Sequence, residues 1–403
     1  IVTDSPTLIE SGPRSGPRPD ERLFADGDRI VGRYRVEDLL GQGGMGQVYR
    51  VVDEQGGGGT LALKLAHLAD VGSRAVEILK SEFALLASLS HPNLAEVRDF
   101  GHVRHDVAYF TQRLVEGVPL HQTGLRPDDP AAVPIWAQLC RALEYLHGKG
   151  ILHRDIKPSN ILVDLATRQL TLLDFGVSRA LGSREERLLV GTFAFMPPEA
   201  IAGGPVDARS DLYSLGITLY RQLTGRVPFE GSHSQVLAAH LGQAPELLPP
   251  ETVNAEVAAV VGRLLAKEPG ARYASAAEVA HALARAAGVT LDAEPAESLA
   301  GYVLSGRFVG HEALHAQLIE LGFAVEPGAA AVIVSGEGGS GKSRLLREVR
   351  QRVQLAWRTF VEVEVRRTWL SKGVLVAVAR AVITDEVARL LDDDDRRELA
   401  RAL

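Results

Sequence analysis

Eight consecutive residues, His153-Arg154-Asp155-Ile156-Lys157-Pro158-Ser159-Asn160, gather a carboxylate, an ammonium and an amide in one short stretch, and Asp174-Phe175-Gly176 follows downstream. Carboxylate and amide oxygens can accept a proton or hold a hard cation, and a lysine beside them can neutralise a negative group. Upstream, Gly41-Gln42-Gly43-Gly44-Met45-Gly46 offers a different chemistry. Glycine lets the backbone turn sharply and brings its N–H groups close to phosphate oxygens, which a Cβ would obstruct. A G-x-G-x-x-G pattern alone also suits a plain hairpin turn, so its surroundings decide. A dinucleotide site needs a helix directly after the glycines and an acid about 20 positions on. Here a strand-like run, Gln47 to Asp53, comes next, then a glycine turn from Gln55 to Thr60 and a third strand, Leu61 to Leu65. That order reads as a β-meander covering a phosphate site. Lys64 lies inside this apolar third strand, where a charge is costly unless paired. Glu82 borders the apolar stripe Val76, Leu79, Phe83 and Leu86 of a helical stretch, so the two can meet at the edge of the core.

These groups need positioning elements, and the patterning supplies them. Tyr34 to Leu40 forms the strand before the glycines, and a helix over Ile135 to Leu146 leads into the His153 run. Cys140 falls on the apolar stripe of that helix and reads as core. Leu212 to Leu223 is apolar on nearly every face and closed by Gly225, as expected of a buried central helix. Ser275 and Glu278 have capping-box spacing before a last helix, Glu278 to Ala286. Residues 1–33 read as a flexible N-terminal tail, rich in Pro, Gly, Ser and charge. Residues 34–286 form the main domain, 287–305 a linker, and 306–403 the start of a further domain.

Composition narrows the class. The 403 residues suit two or three domains; 46% are hydrophobic and 24% charged, which excludes fibrous and wholly disordered chains. The net charge of −7 argues against a nucleic-acid partner. With one cysteine, no intramolecular disulfide forms, and a reducing, cytoplasmic compartment is expected. The apolar runs Ala329 to Ser335 and Gly373 to Ile383 are too short to span a bilayer. The chain starts at Ile1 without a signal pattern and reads as an excerpt of a longer protein.

Together the glycine loop, Lys64, Glu82, the His153 run and Asp174-Phe175-Gly176 resemble the eukaryotic-type protein kinase family, in particular its bacterial serine/threonine branch. The resemblance implies an α+β two-lobed protein kinase fold and transfer of the γ-phosphate of ATP to Ser/Thr hydroxyls of protein substrates. By that resemblance Asp155 takes the hydroxyl proton, Lys157 steadies the transferred group, and Asn160 and Asp174 hold Mg2+. Lys64, paired with Glu82, grips the α- and β-phosphates, and Gly41, Gly43 and Gly46 close over them. Val48 and Ala62 contact the adenine, while Gln112 stands at the gatekeeper position. Arg113 and Val115 bind adenine through main-chain groups. Glu199 pairs with Arg272, and Thr192 contacts Asp155 and Lys157. Arg154 implies regulation by a phosphate on the activation segment, with Ser183 as acceptor or Glu185 and Glu186 in its place.

A second phosphate loop follows. Ala331 to Ser335 is a short buried-type strand running into Gly336-Glu-Gly-Gly-Ser-Gly341-Lys342-Ser343, and the next helix carries Leu345, Leu346, Val349 and Val353 on one stripe. This G-x-x-x-x-G-K-S order suits a P-loop, with Lys342 on the β/γ-phosphates and Ser343 on magnesium. Phe308-Val309-Gly310-His311-Glu312 resembles the entry to AAA-like signalling ATPases, with His311 in place of Arg. The expectation is the start of an α/β P-loop NTPase domain. Asp392 to Asp395 read as a solvated helix start rather than a metal site. Two alternatives stand beside the kinase reading. One is an ATP-binding pseudokinase scaffold, and the other a signalling ATPase whose main output is nucleotide-driven oligomerisation.

Overall fold

The computed structural model describes residues 22–43, 46–55, 59–67, 83, 86–104, 107–173, 193–249, 251, 253–291, 312–323, 334 and 340–355. They fall into two compact units, one from residues up to 71, 97–114 and 307 onward, the other from 72–96 and 115–306.

The first unit is built on a six-stranded antiparallel sheet. Its strands are β1 (Arg29–Ile30), β2 (Tyr34–Gly43), β3 (Gly46–Asp53), β4 (Thr60–His67), β5 (Val97–Arg104) and β6 (Val107–Arg113), in the order β1-β2-β3-β4-β6-β5. Alternation sorts the side chains: Tyr49, Val51, Leu61, Leu63, Leu65 and Tyr109 share one buried core. Directly paired residues share a face, so Val48 and Lys64, Arg50 and Ala62, and Ala62 and Gln112 project from the other side. The strands continue further into the glycines than the sequence suggests. Gly41 pairs with Val48 and Gly43 with Gly46, so the ladder runs on between the glycines. Gly46 has φ 138°, a backbone that side chains rarely allow. The supposed tail also differs. Residues 22–33 carry β1, and Leu23 and Phe24 pack on the core, because their backbone N–H groups find acceptors on β3. The remainder of that tail, residues 1–21, lies outside the described residues.

The second unit holds a three-stranded antiparallel sheet, β7 (Val118–Pro119), β8 (Ile161–Asp164) and β9 (Gln169–Leu172). Around it are α1 (Val133–Gly148), α2 (Pro198–Ile201), α3 (Ala208–Thr224), α4 (His233–Gly242), α5 (Ala255–Leu264) and α6 (Ala276–Ala286). α1 packs on α6 and β9 and buries Trp136, Leu139, Cys140, Leu143 and Tyr145. Burial pushes the Cys140 thiol up to about 12, so it is a core residue, as its helical stripe implies. α3 is buried along nearly its whole length. A Cβ at Gly216 would stand 2.7 Å from Leu264 Cβ, so glycine is what lets α3 and α5 approach. Asp207 and Ser210 cap α3 reciprocally, and Gly225 ends it at φ 77°. α6 starts at Ala276, two residues earlier than expected. Ser275 Oγ accepts the Glu278 N–H at 3.2 Å, but Glu278 returns to the Ala274 N–H at 3.0 Å, one residue before the cap. Toward the C-terminus, α7 (Glu312–Phe323) and α8 (Lys342–Leu355) pack through Leu318, Leu345, Val349 and Val353.

Candidate active site

The His153 run is an extended loop between α1 and β8, held by a single carboxylate from the first turn of α3. Asp211 Oδ2 accepts the His153 N–H at 2.8 Å, and its Oδ1 accepts the Arg154 N–H at 2.8 Å. His147 Nε2, on the last turn of α1, donates to Oδ2 at 2.9 Å. Burial opposes the charge on Asp211, yet the His147 hydrogen bond and the nearby donors outweigh it and hold the carboxyl below its usual range. Arg154 needs this anchor, since its φ of 65° is left-handed and unfavourable for a side chain with a Cβ. His153 is fully buried and locks the next turn. Its Nε2 lies 2.9 Å from the Leu173 carbonyl, and its Nδ1 accepts the Asp155 N–H at 3.3 Å.

The chemistry-bearing side chains then meet. Asn160 sits at the end of a short 3-10 turn, and its Nδ2 donates to the Asp155 carbonyl at 2.9 Å and to Asp155 Oδ2 at 2.8 Å. Lys157 Nζ lies 2.9 Å from the same Oδ2. Asp155 Oδ1 is buried and has no hydrogen-bond partner among the described residues. The carboxylate therefore has one oxygen committed and one available, which costs free energy unless a donor arrives. With Asn160 Nδ2 turned to Asp155, its amide oxygen is the atom left for a hard cation. The Leu173 N–H donates to the Asn160 carbonyl at 2.8 Å, tying the residue before Asp174 to this turn.

A second anchor lies further along. Arg272, wholly buried, pairs with Glu199 at 2.8 and 2.9 Å and spends its remaining donors on the Ala266, Lys267 and Arg209 carbonyls. Ser210 Oγ adds a bond to Glu199 at 2.6 Å. Burial raises the Glu199 pKa, but Arg272 and Ser210 bring it below the ordinary value. This matches the pairing expected from the sequence. Asp211 and His147 had been given no role there. The available signal was an aspartate in the first turn of a helix otherwise apolar on nearly every face, where an unpaired carboxylate is too costly to bury.

On the sheet, Val48, Ala62 and Lys64 share one face, and Lys64 Nζ lies 5.9 Å from the Phe110 ring centroid. Gln112 is buried on that face opposite Ala62. Arg113 pairs with Leu61, so its side chain belongs to the opposite face, which leaves main-chain groups as its means of meeting a ligand on the Lys64 side. Val115 is partly buried just beyond β6. In the second loop, Gly341 has φ 86°, α8 begins at Lys342, and Lys342 Nζ donates to Ser340 Oγ at 3.3 Å. Ser343 is exposed at the first turn. Glu82, Asp174, Ser183, Thr192, Gly336 and Asp392 to Asp395 lie outside the described residues. Among the described residues no cluster of three metal-ligating side chains occurs, and no helix is long and apolar enough to cross a membrane.

An antiparallel sheet carrying a glycine hairpin, followed by a helical unit carrying a His-Arg-Asp loop, defines the two-lobed protein kinase fold. The family model described as protein kinase domain matches residues 34–283, and the chain belongs to that family. The serine/threonine-protein kinase pkn2 of Myxococcus xanthus is 37% identical over 283 residues, covering 66% of this chain and 34% of that protein. PknA of Mycobacterium tuberculosis, also a serine/threonine-protein kinase, is 32% identical over 269 residues, covering 64% of this chain and 62% of its own. Among solved structures, the Mycobacterium tuberculosis PknI kinase domain aligns with a TM-score of 0.53 at 29% identity, covering 66% of this chain and 100% of that one. The chain thus spans from about a third to under two thirds of the length of these curated relatives.

Proposed function

We propose that residues 34–286 are an ATP- and magnesium-dependent serine/threonine protein kinase that acts on protein substrates in signalling. The observation that carries this is Asp155, with Oδ2 held by Asn160 and Lys157 and buried Oδ1 left without a partner among the described residues. A substrate hydroxyl is the donor that Oδ1 lacks. As the hydroxyl oxygen bonds to the γ-phosphorus, its proton passes to Asp155 and the bond to the β-phosphate oxygen breaks, releasing ADP. Lys157, beside Asp155, neutralises charge on the moving phosphoryl group, and Lys64 holds the α- and β-phosphates with help from Glu82. Gly41, Gly43 and Gly46 supply backbone N–H groups to the phosphates, and Val48 and Ala62 give the adenine an apolar surface. Asn160 and Asp174 would hold magnesium, which supplies charge neutralisation when bound. Ser183 is the acceptor we assign for regulation through Arg154. A buried thiol and an ATP requirement suit the cytoplasm.

The test is incubation of the chain with γ-labelled ATP and a protein acceptor, followed by identification of the phosphorylated residues. Label on Ser or Thr that disappears in Asp155→Asn supports the kinase. Nucleotide binding without transfer by the wild type would favour the pseudokinase scaffold.

A second reading concerns residues 306–403, joined through the linker 287–305. We read them as the start of a regulatory P-loop ATPase module, capable of supporting oligomerisation. The observation favouring it is Gly341 in a left-handed conformation leading directly into α8, with Lys342 and Ser343 in the first turn. That arrangement suits phosphate at a helix N-terminus, and Gly336 opens the same motif in the sequence. A Lys342→Ala variant that keeps all nucleotide bound by an isolated Asp155→Asn, Lys64→Ala background would contradict it.

A further inference from the structure

The protein kinase family model begins at Tyr34, yet the polypeptide just before it is fastened to both arms of the glycine hairpin. On the β2 side, the Gly27 N–H donates to the Val36 carbonyl at 2.9 Å and the Val36 N–H to the Asp28 carbonyl at 2.8 Å. β1 then continues the pairing to Tyr34 and Arg35. On the β3 side, the Leu23 and Phe24 N–H groups each donate to the Tyr49 hydroxyl at 3.2 Å, and the Leu23 N–H also reaches Gln47 Oε1 at 3.0 Å. Tyr49 in turn donates to Gln47 Oε1. Phe24 packs edge-on against the Tyr49 ring with centroids 6.1 Å apart, and the Arg22 guanidinium stands 5.7 Å from the same ring. Tyr49 is fully buried and Gln47 nearly so.

These contacts meet a mechanical need. The β2–β3 ladder shifts register twice, between Val36 and Asp38 and between Leu39 and Gly41. Each shift removes ladder bonds and bends the strand, so the arms are weakly fixed by their own pairing. Gly43 and Gly46, the last pair of the ladder, have no side chains to fix them, and their position follows that of the arms. Gln47 and Tyr49 alternate with Val48, so the contacts act from the face opposite Val48 and Lys64 and leave that face clear.

We propose that residues 22–30 are a strap that positions the glycine hairpin over the phosphates of ATP, with Phe24 and Tyr49 as positioning residues. The proposal rests on the reading of the hairpin as the ATP-binding element. In the full chain, Phe24→Ala and Tyr49→Phe are compared with wild type for the Kd of a fluorescent ATP analogue, the KM for ATP, kcat at saturating ATP and the melting temperature. Tyr49→Phe keeps the ring and removes only the hydroxyl that both N–H groups use, so it remains informative even where Phe24→Ala does not fold. Loss of such contacts is expected to raise the Kd and KM for ATP about three- to tenfold, with kcat within about twofold of wild type and the KM for the protein substrate unchanged. Variants that melt earlier but bind the analogue as wild type does would overturn the strap and leave only a structural role. Wild-type protein that does not bind the analogue would overturn the ATP reading, and the strap with it.

Discussion

In the proposed kinase reading the His153 loop and the glycine hairpin both have to present polar groups to a phosphate, and they are held in contrasting ways. The loop from His153 to Asn160 is fastened by side chains: Asp211 reaches in from α3 to grip its backbone, and the loop's own Asn160 and Lys157 grip Asp155. It even keeps Arg154 at a left-handed φ of 65°. The hairpin meets its own unusual backbone with glycine at position 46, φ 138°, and is braced from behind by the Leu23 and Phe24 N–H groups, which donate to the Tyr49 hydroxyl. The difference suits the two tasks. A proton acceptor must stand within hydrogen-bond reach of its donor, whereas a cover for phosphates must also let nucleotide in and out.

The largest expected effect breaks the rigid side of this contrast. Asp211→Ala leaves two backbone N–H groups and His147 without their buried acceptor and lets Arg154 leave its strained conformation. It should destabilise the helical unit by about 3–5 kcal/mol and abolish transfer, while nucleotide still binds the sheet side. Denaturant midpoints and nucleotide affinity check both. A variant with wild-type transfer would show that the loop holds itself.

Acid sharpens the contrast next. Burial, aided by Arg141, lowers the His91 pKa from 6.5 to about 4, and burial, aided by Lys267, does the same for His240. Both belong to the second unit. The unfolded chain takes up these protons near pH 6.5, but the folded chain does so only near pH 4. Their stabilisation is full above 6.5 and is lost as pH falls to about 4, roughly 3 kcal/mol for each. Hydrogen exchange between pH 7 and 4 should therefore show α1 and α4 losing protection before the six-stranded sheet. Equal loss in both would contradict the assignment. His240→Gln should make the fall shallower by up to one proton.

The smallest effect falls on the hairpin. Gly46→Ala forces a Cβ into φ 138° at a cost of about 1–3 kcal/mol. Because Gly46 lies at the glycine end of the ladder, beyond the buried core residues of β2 and β3, the cost should appear as a weaker affinity for ATP rather than as global unfolding. A lowered melting temperature with unchanged affinity would place the hairpin among the rigid elements.

How much of this was readable beforehand follows the same division. Asp155, Lys157 and Asn160 lie within six positions, and their types follow from the chemistry, so the site was legible as a motif. The helix of Ile135, Leu139, Leu143 and Leu146 was legible from its stripe, and Glu199 with Arg272 from the resemblance. Asp211 was not, because it is remote in sequence and looks like an ordinary first-turn acid on α3. The strap was not either. Its attachment uses the backbone N–H groups of Leu23 and Phe24, which no residue pattern encodes, and its Pro- and Gly-rich approach has no period to detect. Side-chain chemistry writes itself into sequence far more clearly than the main-chain N–H groups that a side chain such as Tyr49 captures.

The most direct test of the account is the single-turnover rate of phosphoryl transfer from saturating ATP by wild type and Asp155→Asn, with nucleotide affinity measured alongside. Asparagine preserves the shape and the contact with Asn160 but cannot take the proton. The account predicts a rate lower by about 10²–10⁴-fold with affinity for ATP unchanged. Transfer by Asp155→Asn at the wild-type rate would contradict it.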